Sequence, residues 1–184
     1  MFNEGKTAQM AAYFLLLCGN RMPHLKLMKL LYLSDRKAMN EYGFPISGDK
    51  FVSMDYGPVL STTLNLINGW IKPKDNGWES WVTDKENHHV ALKDGITRDN
   101  LDELSEADIQ IMDSVWNTFK NYNQWRIAEY THTHCSEWKD PKGSLIPISY
   151  HEIFKALGKS NEEAQFLSER IEEESYIEDV FAQL

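Results

Sequence analysis

KLMKLLYLSDRKAMNEYGFPISGDKFVSMDYGPV, residues 26–59, is the stretch whose reading decides the fold. Leu27, Leu30, Leu31 and Ser34 recur at helical spacing, and Met28 and Leu33 widen the stripe. A stripe that broad implies a helix over about 25–42, buried against more than one neighbour. Lys26, Lys29, Arg36 and Lys37 are expected at its edges, with buried stems and wet heads. Gly43 and Pro45 stop the helix. Phe51-Val52-Ser53-Met54 reads as a short strand. Gly57 is then expected as an N-cap and Pro58 as the first residue of another helix, where a missing N–H costs nothing. Leu60, Thr63, Leu64 and Ile67 share one face of that helix, and Asn68-Gly69 ends it.

Outward from this core, the apolar run Ala11–Cys18 reads as a buried first helix. It is too short to span a bilayer. Glu4 before it, and Gly-Asn-Arg-Met-Pro after it, argue against a signal peptide. Trp78–Val82 and Val90–Leu92 flank a polar Asp-Lys-Glu-Asn tetrad and suggest a hairpin. Ser105 and Asp108 form a capping box for a helix with Ile109, Met112, Trp116 and Phe119 on one face. Another helix begins near Asn123. Ser149–Leu157 is a short helix closed by Gly158. Ser160 and Glu163 cap a final helix with Leu167, Ile171, Ile177, Val180, Phe181 and Leu184 on its apolar side. The pattern is mainly α: a single compact helical domain with a small antiparallel β element of one or two short hairpin strands.

Composition narrows the function. A chain of 184 residues fits one domain. Cys18 and Cys135 are too few for a disulfide framework, so a reducing cytoplasm is the expected setting. The net charge of −9 divides unevenly, +4 over residues 1–74 and −13 over 75–184. The acidic half disfavours nucleic acid. It serves solubility, or it steers a basic partner. No phosphate-binding glycine loop, nucleophile elbow or His-Glu-x-x-His motif appears. His132 and His134 are two apart, so on a helix they diverge, and no second cluster supplies metal ligands. Neither a cofactor, a metal nor a catalytic residue is expected.

Three signatures resemble those of the Panacea domain, the SocA-like antitoxin domain of bacterial and phage toxin–antitoxin systems. They are Lys26-Leu27-Met28-Lys29-Leu30-Leu31-Tyr32, Tyr56-Gly57-Pro58-Val59, and Ala128-Glu129-Tyr130-Thr131-His132 followed by Trp138. The similarity covers about residues 7–157 within a single domain of 1–184. Glu137 stands where the family usually has Pro before Trp. The resemblance implies a non-enzymatic antitoxin that binds and neutralises a cognate protein toxin. A proteolysis adaptor, delivering a toxin to a cellular protease, is the alternative it also permits. A Cys/His or metal enzyme is the remaining class. Neither nucleic acid nor membrane is an expected partner, and a homo-oligomer stays open.

The candidate family-motif or partner-binding residues are Lys26, Lys29, Tyr56, Gly57, Pro58, His132, Trp138, Glu172, Glu173 and Glu174. Tyr32 reads as a core residue with a satisfied hydroxyl, and Tyr56 as either core or binding anchor. Trp125, Ala128 and His132 share a helical face. His132 there is expected to be a core imidazole with hydrogen-bonded nitrogens, with toxin contact or chemistry as alternatives. The helix over about 160–184 carries eight acidic residues against Arg170 alone. It reads as a solvated face, or as one that meets a basic toxin groove.

Overall fold

In the computed structural model, which describes residues 2–181, the helix-forming half of the 26–59 stretch becomes the axis of the molecule. Helix α1 (Glu4–Leu17) leads through β1 (Arg21–Pro23) into α2 (His24–Tyr42), and Gly43, at φ 85°, closes α2 with a left-handed cap. The stripe residues Leu27, Met28, Leu30, Leu31, Leu33 and Ser34 are all buried. So are Lys29, Tyr32 and Asp35, because α2 packs against α1, α4 (Glu106–Phe119), α5 (Gln124–His134), α6 (Tyr150–Ala156) and several smaller elements. A helix surrounded this way has no wholly solvated face.

The remaining elements are β2 (Phe51–Met54), β3 (Gly57–Leu60), α3 (Ser61–Ile67), β4 (His89–Ala91), β5 (Ile146–Ile148) and α7 (Asn161–Phe181). Strands β3, β2 and β5 form one antiparallel sheet in that order, and β1 pairs with β4 in a second. The mainly helical fold with a small antiparallel sheet is therefore as expected. The capping boxes at Ser105–Asp108 and Ser149–Glu152 are formed, and Ser160 and Glu163 exchange the same pair of bonds at the start of α7. No described helix is long and apolar enough to cross a membrane.

Three local expectations need correction. Gly57 and Pro58 do not open a helix. They lie in β3, with Met54 opposite Gly57 and Ser53 opposite Pro58. Neither Asp55 nor Tyr56 takes a positive φ, so the left-handed residue that this tight hairpin requires is Gly57, at φ 95°. Pro58 is tolerated because β3 is a sheet edge. Helix α3 begins later and is capped from a distance: the Asp49 carboxylate accepts from Thr62 N (3.0 Å), Thr63 N (2.8 Å) and Thr63 Oγ1 (2.7 Å).

The Trp78–Val82 hairpin is the second. Residues 78–80 form a 3-10 turn, because the Glu4 carboxylate accepts from Lys74 N at 3.0 Å and Trp78 N at 2.9 Å and curls the chain. Of the expected pairing the Val82–Leu92 bridge remains, flanked by Thr83 N to Ala91 O at 2.8 Å and Lys93 N to Trp81 O at 3.0 Å. Strand β4 pairs on its other side with β1, Met22 standing opposite Val90. The third correction is in α7. Ala164, Ser168 and Ile171 are buried against the body, but Ile177, Val180 and Phe181 are exposed. The apolar stripe outlasts the surface it packs on; Leu184 lies outside the described residues.

Leu31 is fully buried on α2. Leu31→Ala is expected to cost about 2–5 kcal/mol of unfolding free energy through lost burial and a residual cavity. Chemical denaturation checks this, and a curve superimposable on wild type would contradict the packing.

Candidate functional site

The three sequence signatures, far apart along the chain, meet at the β2–β3 turn. Lys29 on α2 is wholly buried, not wet-headed as its spacing suggested, and its Nζ donates to the Pro58 carbonyl at 2.6 Å. Pro58 brings that carbonyl within reach because Gly57 leaves room. A β-carbon on Gly57 would stand 2.5 Å from Thr131 Oγ1, 3.0 Å from Lys29 Nζ and 3.4 Å from His132 Cδ2. Glycine is thus required twice, by its φ and by the close approach of α2 and α5. Thr131 Oγ1 in turn donates to Ala128 O at 2.7 Å within α5.

The segment after α5 binds the same hairpin. Trp138 Nε1 donates to Met54 O at 2.9 Å, and Lys139 N donates to Ser53 Oγ at 3.1 Å. The His132 ring stacks on Trp138, centroids 4.2 Å apart and planes at 27°. This corrects the expectation for His132. It is held by ring stacking, and its buried Nε2 has no hydrogen-bond partner among the described residues. Its Nδ1 lies 3.9 Å from Glu129 Oε2.

Glu137 fastens this segment to α2. It is buried, accepts from the Tyr32 hydroxyl, and accepts from Arg36 Nε at 2.6 Å and Nη2 at 3.2 Å. Tyr32 is therefore the satisfied core tyrosine expected. The turn before Trp138 closes without proline, through Trp138 N to Cys135 O at 2.9 Å.

Burial sets the protonation of this interior. The Lys29 ammonium is pushed down to about 7, with Cys135 pulling weakly the other way. The Cys135 thiol is pushed up to about 12, by burial first and by the Glu137 carboxylate second. A thiol so placed carries little of the thiolate a nucleophile needs. His134 turns away from His132 and stacks on Tyr130, centroids 4.1 Å apart. Among the described residues no three His, Cys, Asp or Glu side chains gather so as to hold a metal ion.

Above this interior lies an exposed aromatic pair. Tyr56 at the turn and Trp125 on α5 are 60% and 57% exposed, with ring centroids 5.7 Å apart. Of the other candidates, Lys26 sits apart, its Nζ donating to Lys120 O at 2.8 Å where α4 ends. Glu172, Glu173 and Glu174 lie on α7, whose chief neighbour is α6, and Glu174 pairs with Arg170 at 3.2 Å. The turn and α5 therefore unite Lys29, Tyr56, Gly57, Pro58, His132 and Trp138, and leave out Lys26 and the three glutamates. Sequence reasoning passed over Thr131 and Trp125 as site residues. Their signals were present: Thr131 lies inside the third sequence signature, and Trp125 shares a helical face with Ala128 and His132.

The domain thus spends its sequence signatures on a buried joint beneath an exposed aromatic pair. The chain belongs to the family described as antitoxin SocA-like, Panacea domain, whose model matches residues 27–139. No curated protein and no solved structure matches it.

Gly57→Ala is expected to destabilise by at least about 1–3 kcal/mol, through overpacking added to backbone strain. Gly143→Ala is the control: its φ is 80° but nothing lies within 4 Å of the added carbon, so it bears strain alone. Equal losses for the two in chemical denaturation would contradict the close approach at Gly57.

Lys29 also predicts a pH dependence. Its folded value of about 7 lies below its ordinary 10.5, so above about 7 the unfolded chain holds more protons. Its contribution to stability therefore rises with pH from about 7 towards 10.5, and the penalty is full below 7. The stability difference between wild type and Lys29→Met should shift in the wild type's favour over that window. A difference independent of pH would contradict a buried lysine.

Proposed function

We propose that this chain is an antitoxin that neutralises a protein toxin by direct binding, without a catalytic step of its own. Membership of the antitoxin SocA-like family supports the class. The observation that carries the mechanism is the convergence of the family-like signatures on one buried joint beneath Tyr56 and Trp125. Lys29, Gly57, Pro58, His132 and Trp138 hold the hairpin rigid against α2 and α5. Tyr56 then meets the partner from a fixed backbone, which limits the entropy lost on binding. Glu172, Glu173 and Glu174 add exposed negative charge that steers a basic toxin and contributes little to holding it.

The test is inhibition of the toxin encoded beside this chain, with both proteins purified and no protease present. Inhibition at about one equivalent is expected. Inhibition that needs an added cellular protease would instead assign the chain as an adaptor. Replacing the three glutamates by Gln should slow association at low salt, with the gap closing at high salt; coincident rates at every salt concentration would remove α7 from the encounter.

A further inference from the structure

We infer that the Tyr56–Trp125 surface is a receptor for an arginine side chain presented by the partner protein, a reading that rests on the antitoxin function proposed above. The two rings stand at 63° to one another with centroids 5.7 Å apart, and both are more than half exposed. Inclined, solvent-facing aromatic planes offer a guanidinium a stacking face and an edge. Carboxylates flank them. Glu129 lies one helical turn beyond Trp125 on the same face of α5, and its side chain is 73% exposed. Asp55 adjoins Tyr56 in the turn and is held by Gly143 N, which donates to its Oδ1 at 2.9 Å.

Three cations of neighbouring segments are committed elsewhere, and Lys142, beside Gly143, is exposed. Lys29 is buried on Pro58 O, and Lys139 pairs with Glu152 at 2.6 Å. Arg126 stacks over Tyr122 at 4.0 Å. The patch is therefore aromatic and acidic together, and a guanidinium satisfies both. Lysine fits less well, since its compact ammonium is more strongly hydrated and cannot stack as a plane. A second copy of this chain is the weaker occupant, because a net charge of −9 on each copy opposes association.

The probe is the capped tripeptide glycyl-arginyl-glycine, titrated into the full-length protein while the Trp indole N–H resonances are followed by NMR. Its citrulline and lysine counterparts are the comparisons. We expect the Trp125 resonance to shift and saturate at millimolar arginine peptide. The lysine peptide should bind several-fold more weakly, and the neutral citrulline peptide about tenfold more weakly or worse. Trp125→Ala should abolish the response, and Glu129→Gln should weaken it about three- to tenfold, with the gap narrowing at high salt. Unchanged thermal melts for both variants exclude misfolding, as expected for exposed side chains.

An unshifted Trp125 resonance at tens of millimolar peptide, or equal binding of arginine and citrulline peptides, would overturn the inference. So would self-association of the wild type that Trp125→Ala removes, since a second copy would then cover the patch. Arginine binding without toxin inhibition would leave this site standing and remove the antitoxin reading. Toxin inhibition that Trp125→Ala leaves intact would do the reverse.

Discussion

A buried lysine amine donating to the carbonyl of Pro58 is the contact on which the arrangement depends. Proline gives the edge strand no N–H, but its carbonyl still needs a partner once covered by α2 and α5. Lys29 supplies it from the centre of α2. The amine is costly to bury charged, which is why its affinity for a proton falls to about 7. The arrangement holds only if the strand comes close, and only glycine at 57 lets it. Lys29, Gly57, Pro58 and Thr131 are thus one structural unit, though they belong to three separate elements.

Carboxylates fix several other irregular segments in a comparable way. Asp49 caps α3 from outside it, and Glu4 curls the 74–80 segment. Asp35, buried on α2, accepts from Ile46 N at 2.8 Å, Ser47 N at 3.0 Å and the Ser47 hydroxyl. Burial nonetheless pushes its carboxyl up to about 7, against the opposing pull of those bonds. Glu137 fixes the loop after α5 through Arg36 and Tyr32. Each carboxylate satisfies donors that a helix or sheet would otherwise satisfy, so segments without regular structure gain fixed geometry. The result is a small sheet and its turn held rigidly enough to present two large aromatics to solvent.

Sequence pattern conveyed the parts governed by near neighbours. The boundaries of α2, the Gly43 stop, the capping boxes at Ser105 and Ser160 and strand β2 follow from residues within a few positions of one another. What it misassigned depends on distant partners. Lys29 looked like an edge lysine, because nothing local shows that Pro58 would need a donor. Gly57-Pro58 looked like a helix start, because the true cap of α3 is Asp49. The 78–82 segment opens on a 3-10 turn because Glu4, 74 positions earlier, takes the Trp78 amide. His132 was placed on the right face of α5, but the stack with Trp138 depends on how the chain returns after Cys135. The family-like motifs identified the residues of the joint, whereas the exposed pair above it became visible only when the turn and α5 were brought together.

Native-state hydrogen exchange tests the joint most directly, since it reads the stability of individual donors. In the wild type, the Trp138 indole proton and the paired amides of β2 and β3 should exchange only by global unfolding, at the rate of the slowest α2 amides. In Lys29→Met they should exchange faster through local opening, while α1 retains its protection relative to the new global stability. Fast exchange of the hairpin and the indole in the wild type, or unchanged protection in the variant, would contradict the central place given to Lys29.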